Sequence, residues 1–169
     1  RVVTAGGDPA QVIFSGVGKR LDELRRALEV GIRCFNLESE AELARINEVA
    51  GDLGVIAPIS LRVNPDVDAR THPYIATGLK ESKFGIEAGR ILETYRAALK
   101  LGHLDVVGIH CHIGSQVFRL DSCAKAAAVV VAFADECERE TGARVPVLNL
   151  GGGLGARYLG SDPDPSVSE

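Results

Sequence analysis

Val106-Val107-Gly108-Ile109-His110-Cys111-His112-Ile113-Gly114-Ser115-Gln116 is the stretch on which the fold turns. Apolar residues lead in, and His110 and His112 then fall two apart, which on a strand puts both rings on one face. Gly114 lets the backbone leave the sheet, and Ser115 and Gln116 follow at once. The pattern is that of a buried strand whose carboxyl end opens into a site. A second apolar run, Val145-Pro146-Val147-Leu148-Asn149-Leu150, breaks into Gly151-Gly152-Gly153-Leu154-Gly155, four glycines within five residues. Without a Cβ, glycine allows positive φ and close backbone approach, so successive N–H groups can converge on an anion such as phosphate. An imidazole and a phosphate cradle at two successive strand ends suit a phosphorylated cofactor with a flat ring.

Working outward, residues 1 to 10 read as the tail of a helix running into the turn Gly6-Gly7-Asp8-Pro9. Gln11 to Gly16, Cys34 to Leu37 and Ile59 to Asn64 supply three earlier strands. Leu21, Leu24, Ala27 and Leu28 recur at helical spacing up to Gly31. Ser39 and Glu42 stand at capping-box spacing and open a helix with the inner face Leu43, Ile46, Val49 and Ala50, ending at Gly51. A helix around Ile91, Tyr95, Ala98 and Leu99 ends at Gly102 and feeds the opening stretch; Asp121 caps another, through Ala128, Val131 and Phe133 to Gly142. The segment from Asp66 to about Gly85 is long and irregular, which makes it a candidate lid.

Strand and helix therefore alternate through five strands, which argues a parallel sheet with right-handed crossovers. Polar residues or glycines stand at or just after each strand end: Ser15-Gly16, Asn36 with Glu38, Arg62 with Asn64, His112 with Ser115, and Gly151 to Gly153. Barrel sites collect at that face from many strands, whereas an open doubly wound sheet concentrates them in one crevice. The expected fold class is thus α/β, a partial (β/α)8 TIM barrel. A complete barrel takes about 250 residues, so about five of its eight strands fit here.

The chain's 46% hydrophobic and 25% charged residues belong to a soluble globular protein, and a net charge of −4 offers no general basic surface for nucleic acid. The longest apolar run, Ala126 to Ala134, falls well short of the about 20 residues of a membrane span. The opening Arg1 to Gly7 is too short and glycine-rich for the apolar part of a signal peptide, which favours the cytoplasm. Cys34, Cys111, Cys123 and Cys137 show no C-x-x-C spacing, so packing is the expected role and no disulfide framework is expected.

Each candidate site residue has a plainer reading beside the functional one. His112 is either a core imidazole or a site group, and the glycine and serine after it favour the site. His110 lies deeper and reads as structural. The two together match the H-x-H of barrel metal hydrolases, but a metal needs further ligands that His72, in a loop, and His103, before a strand, do not supply. Gly151 to Gly155 is a tight turn or a phosphate site, without dinucleotide G-x-G-x-x-G spacing from Gly151. Arg62 is a structural ion-pair partner or part of the site. Lys19, Lys80 and Lys83 lie in loops or beyond strand ends, where a solvated ammonium is a poor nucleophile, so none is assigned a Schiff-base role.

Several stretches together resemble the diaminopimelate decarboxylase family. They are Phe14 to Lys19, Asn36 to Glu40, Leu61 to Val67, His72 to Gly78, Lys83-Phe84-Gly85, His112 to Gln116 and Leu150 to Gly155. This family is one of the pyridoxal-phosphate enzymes with an alanine-racemase-like barrel (fold type III), which include ornithine and arginine decarboxylases. The resemblance implies that His112 stacks on the cofactor ring of pyridoxal 5′-phosphate, that Ser115 and the Gly151-Gly152-Gly153 backbone hold its phosphate, and that Arg62 orders polar groups near it. It implies removal of the carboxylate at the D-configured carbon of meso-diaminopimelate to give L-lysine and carbon dioxide, in lysine biosynthesis, by a homodimer. The alternatives are a related decarboxylase of ornithine, arginine or carboxynorspermidine, or a non-catalytic barrel fragment. By the same resemblance the Schiff-base lysine lies before Arg1, and the C-terminal β domain and substrate-binding residues lie after Glu169. Residues 1–169 are therefore expected to be an incomplete barrel domain, an internal fragment that does not turn over alone.

Overall fold

In the computed structural model, which describes residues 1–67 and 84–160, the apolar runs and helical periodicities resolve into alternating strands and helices. β1 (Ile13–Phe14), α1 (Leu21–Glu29), β2 (Cys34–Leu37), α2 (Glu40–Leu53) and β3 (Ala57–Asn64) come first. The short β4 (Ile86–Glu87), α3 (Ile91–Leu99), β5 (Leu104–His110), α4 (Leu120–Thr141) and β6 (Val147–Asn149) follow. All pairings are parallel, and the sheet runs β1-β2-β3-β5-β6, with β4 paired to the end of β3. A sheet whose spatial order follows the chain never reverses its winding, so right-handed crossovers lay the helices on one side. This is the wall of a partial barrel, as the polar strand ends imply, and not a doubly wound sheet.

The core lies between that wall and its helices. Phe35, Leu37, Ile59, Leu61 and Ile109 are completely buried and share one cluster with Leu24, Leu43, Ile46, Tyr95 and Val130. Full burial of one such side chain is worth about 1.5–3 kcal/mol, so this outer face supplies most of the stability. Because side chains alternate along a strand, Asn36, Ser60, Arg62 and His110 take the opposite, concave face. Gly108 lies there too, so close to β6 that a Cβ would overlap the Val147 carbonyl. An open cavity of about 290 Å³ on this side is lined by Asn36, Ser60, Val107, Val147 and Asn149.

Several local expectations give way to tertiary contacts. Gly51 does not stop α2, which runs on to a left-handed Gly54; instead a Cβ at Gly51 would lie 3.1 Å from the His103 ring. The capping box at Ser39 is not formed, because the Glu42 carboxylate turns to the amide of Glu38 at 2.8 Å. Asp121 pairs with Arg119 within the first turn of α4 rather than capping it. The buried stripe of α4 is Ser122, Ala126, Val130, Ala134 and Cys137, while Val131 is 44% exposed. The strand β4 was not expected. The lid reading falls almost wholly on 68–83, outside the described residues, as do His72, Lys80 and Lys83. Cys34, Cys111 and Cys137 are buried free thiols, consistent with packing. Among the described residues no helix is long and apolar enough to cross a membrane.

Candidate functional site

The strands β5 and β6 keep company beyond their ends. Cys111 N donates to Asn149 O at 2.8 Å, Val117 N to Gly153 O at 2.9 Å, and Gly155 N to Val117 O at 2.9 Å. Gln116, at φ 57°, clamps the same two segments: its Nε2 donates to Ala156 O at 3.1 Å, and its Oε1 accepts from Ala156 N at 2.9 Å. The loop after the histidine pair and the glycine turn therefore form one unit.

Within it, the half-buried imidazole of His112 lies against the turn, its Nδ1 3.5 Å from Gly152 N. Gly151, at φ +77°, is required there, since a Cβ would lie 2.9 Å from His112 Nδ1 and 2.6 Å from Cys111 O. Gly153, at φ +97°, passes so close to Gly114 that a Cβ would overlap its carbonyl, and exposed Ser115 flanks it. A Cβ at Gly152 would meet nothing within 4 Å. Gly151 N already donates to Asn149 Oδ1 at 2.9 Å. Five of the six expected site residues, His112, Ser115 and Gly151 to Gly153, are thus brought together.

Arg62, the sixth, stands on the neighbouring strand. Register pairs Arg62 with His110 and His110 with Asn149, which aligns these side chains in one row on the concave face. Arg62 Nη1 donates to Glu38 Oε2 at 2.6 Å, and its guanidinium lies 5.6 Å from the Phe84 ring centroid. Both alternatives for Arg62 therefore meet in one residue: it is ion-paired, and it lines the wall beside the histidines. His110 is buried, as its deeper position implied, and burial with the nearby Arg62 cation pushes its pKa down to about 3. The His112 pKa is also lowered, by burial first and by Arg62 second, against an opposing pull from Glu38. Both rings are neutral near pH 7. Among the described residues, His110 Nδ1 and Ser60 Oγ are the buried side-chain polar atoms without a hydrogen-bond partner.

The sequence reading placed Lys19 in solvent, and the structure corrects this. Lys19 is 3% exposed, donating to Gly16 O and Asn36 O at 2.7 Å each and pairing with Glu42 at 3.1 Å. Its head group is taken up by two backbone carbonyls and a buried ion pair. Glu38 and Gln116 read in the sequence only as polar residues at strand ends; their roles, Glu38 holding Arg62 and Gln116 clamping the two segments, come from contacts that the fold alone brings together.

The model of the family described as pyridoxal-dependent decarboxylase, pyridoxal binding domain, matches residues 1–169. The diaminopimelate decarboxylase of Pseudomonas aeruginosa is 55% identical over 163 residues, covering 96% of this chain and 39% of that protein. Among solved structures, the diaminopimelate decarboxylase of Helicobacter pylori complexed with L-lysine superposes with a TM-score of 0.89 at 41% identity, over 95% of this chain and 40% of that one. The arginine decarboxylase of Paramecium bursaria Chlorella virus gives 0.75 at 26% identity, over 90% and 38%. The chain spans about 40% of the length of these relatives. Matched along its whole length and folded as the same barrel wall, this chain belongs to the pyridoxal-dependent decarboxylase family, of which it carries pyridoxal-binding domain sequence.

Proposed function

We propose that the chain forms part of a diaminopimelate decarboxylase and that its site holds pyridoxal 5′-phosphate. The observation that carries this reading is the contact of the His112 imidazole with the turn at Gly151 and Gly152, a flat base beside exposed backbone amides. The residues fit such a cofactor. A side chain at position 151 would invade the space of the imidazole, while the space in front of Gly152 is open. The Gly151 amide is taken by Asn149 at 2.9 Å and the Gly152 amide lies at a long 3.5 Å from His112 Nδ1, so the phosphate would be held by the turn backbone at Gly152 and Gly153 with the Ser115 hydroxyl, Gly151 shaping the turn.

When bound, the cofactor supplies an electron sink for the pair released as a carboxylate departs. His112 would cover one face of its ring and leave the other to the substrate. Burial and Arg62 lower the His112 pKa, which disfavours a second positive charge against a cationic ring. Arg62, held by Glu38, orders the polar wall behind it. We assign the substrate as meso-2,6-diaminopimelate, losing carbon dioxide from its D-configured carbon to give L-lysine. The whole enzyme is read as a cytoplasmic homodimer on the family resemblance.

The test is the full-length protein supplied with pyridoxal 5′-phosphate and assayed for lysine release against turnover of ornithine, arginine and carboxynorspermidine. Lysine release with little turnover of the others is expected. A protein that stays colourless with the cofactor, or that prefers another amino acid, overturns the assignment.

A further inference from the structure

Four buried charged side chains stand at the carboxyl ends of β1 to β3, and contacts join them in one order. Lys19 pairs with Glu42 at 3.1 Å, and Glu42 Oε2 accepts the amide of Glu38 at 2.8 Å. Glu38 Oε1 in turn accepts from Gly16 N at 3.1 Å, and its Oε2 from Arg62 at 2.6 Å. Two cations and two carboxylates cancel, which is the condition for keeping four charges out of water. The Lys19 end of the chain is spent on backbone carbonyls. The Arg62 end opens onto the concave wall, in register with His110.

We propose that Glu38 is a positioning residue for the candidate site, acting through Arg62: one carboxylate oxygen holds the guanidinium against the wall while the other ties it to the loop after β1. The inference rests on the reading of the site as one for pyridoxal 5′-phosphate. A guanidinium released from its carboxylate is a strong partner for phosphate, with two parallel donors to offer. Glu38 keeps Arg62 from competing with the glycine turn for the phosphate and fixes the charge that His110 and His112 face. Glu38 is 4% exposed and makes its contact to Arg62 within one wall of the site, so its effect reaches the cofactor without touching it.

The experiment uses the full-length protein, with pyridoxal 5′-phosphate as the probe, and reads cofactor affinity and the pH midpoint of the bound cofactor's absorbance. Glu38→Gln removes a negative charge, which disfavours the protonated cofactor and should lower that midpoint by about one pH unit. Affinity should weaken about ten-fold, the loss expected when a charge-assisted hydrogen bond no longer fixes a contacting group. Glu38→Asp keeps the charge but cannot span both Gly16 and Arg62, so it should weaken binding with a smaller midpoint shift. An unchanged midpoint in Glu38→Gln, with or without weaker binding, reduces Glu38 to a structural ion and overturns the proposal. Should Glu38→Gln fail to fold, the aspartate variant decides by the same readings: wild-type affinity there overturns the proposal. Failure of the unsubstituted protein to bind the cofactor would instead overturn the functional reading itself.

Discussion

His110 sits between Arg62 and Asn149 in the concave row, 5% exposed, and its pKa falls to about 3 because burial penalises the imidazolium and Arg62 repels it. In the unfolded chain a histidine titrates at about 6.5. Between those two values the unfolded state binds a proton that the folded state refuses. The stability involved is therefore complete above about pH 6.5 and declines as pH falls toward the folded value, by up to about 1.4 kcal/mol per pH unit. His112 acts with the same sign, so the comparison must be a difference between proteins. His110→Asn in the full-length protein should show a flatter fall in unfolding free energy with acid than the unsubstituted protein, measured by denaturant titration across that window. Identical slopes would mean that His110 is not held neutral. At this scale, what the sequence made legible was what depends on neighbours in the chain: His112, Ser115 and the glycines announce themselves by following apolar runs. Lys19, Glu38 and Gln116 do not, since beside the local contacts of Lys19 to Gly16 and of Glu38 to Glu42 their other partners lie 17 to 40 residues away and only the folded sheet brings them together.

The element that matters most is the pair of segments after β5 and β6, zipped by backbone bonds and by Gln116. Within the turn the glycines are not equivalent. A methyl at Gly151 meets Cys111 O and His112 Nδ1 and must adopt φ +77°, whereas one at Gly152 meets nothing. Gly151→Ala should therefore destabilise the full-length protein by about 2–4 kcal/mol, from left-handed strain and overpacking, and displace His112. Gly152→Ala should stay within about 0.5 kcal/mol. Chemical denaturation of both variants tests this, and equal stabilities would show that the turn is not packed as described. The sequence shows that the turn exists but not which glycine is squeezed, because the squeeze comes from β5. The same limit explains α4. Its alanine-rich sequence gives little contrast between faces, so only neighbouring elements select the stripe through Ala126 and Val130 and leave Val131 exposed. The helix α2 runs past Gly51 for a related reason, since the space there is needed by His103.

For the molecule as a whole, strand order is the decisive fact. Among the described residues β1 pairs only with β2, and β6 only with β5, so each presents an unpaired edge. Ile13 on one edge and Leu148 on the other are 41% and 40% exposed, and an apolar groove of about 460 Å³ beside β1 is lined by Val2, Val12, Phe14, Ala27 and Ile32. Closed barrels remove such edges; an open wall offers them to any strand that arrives. The alternation of five strands and the polar residues at their ends were enough to anticipate the wall. The edges follow only from knowing which strands are neighbours. A polypeptide of residues 1–169 alone should consequently self-associate, its apparent mass rising with concentration in sedimentation or size-exclusion measurements. Ile13→Lys places a charge on the β1 edge and should reduce that association. The same substitution is a discriminating one, because it leaves the core between sheet and helices untouched: Phe35, Ile59 and Ile109 keep their partners. If the polypeptide instead sediments as one monomer at all concentrations and melts cooperatively, its edges are covered by contacts among its own residues, and the inference of two open edges is overturned.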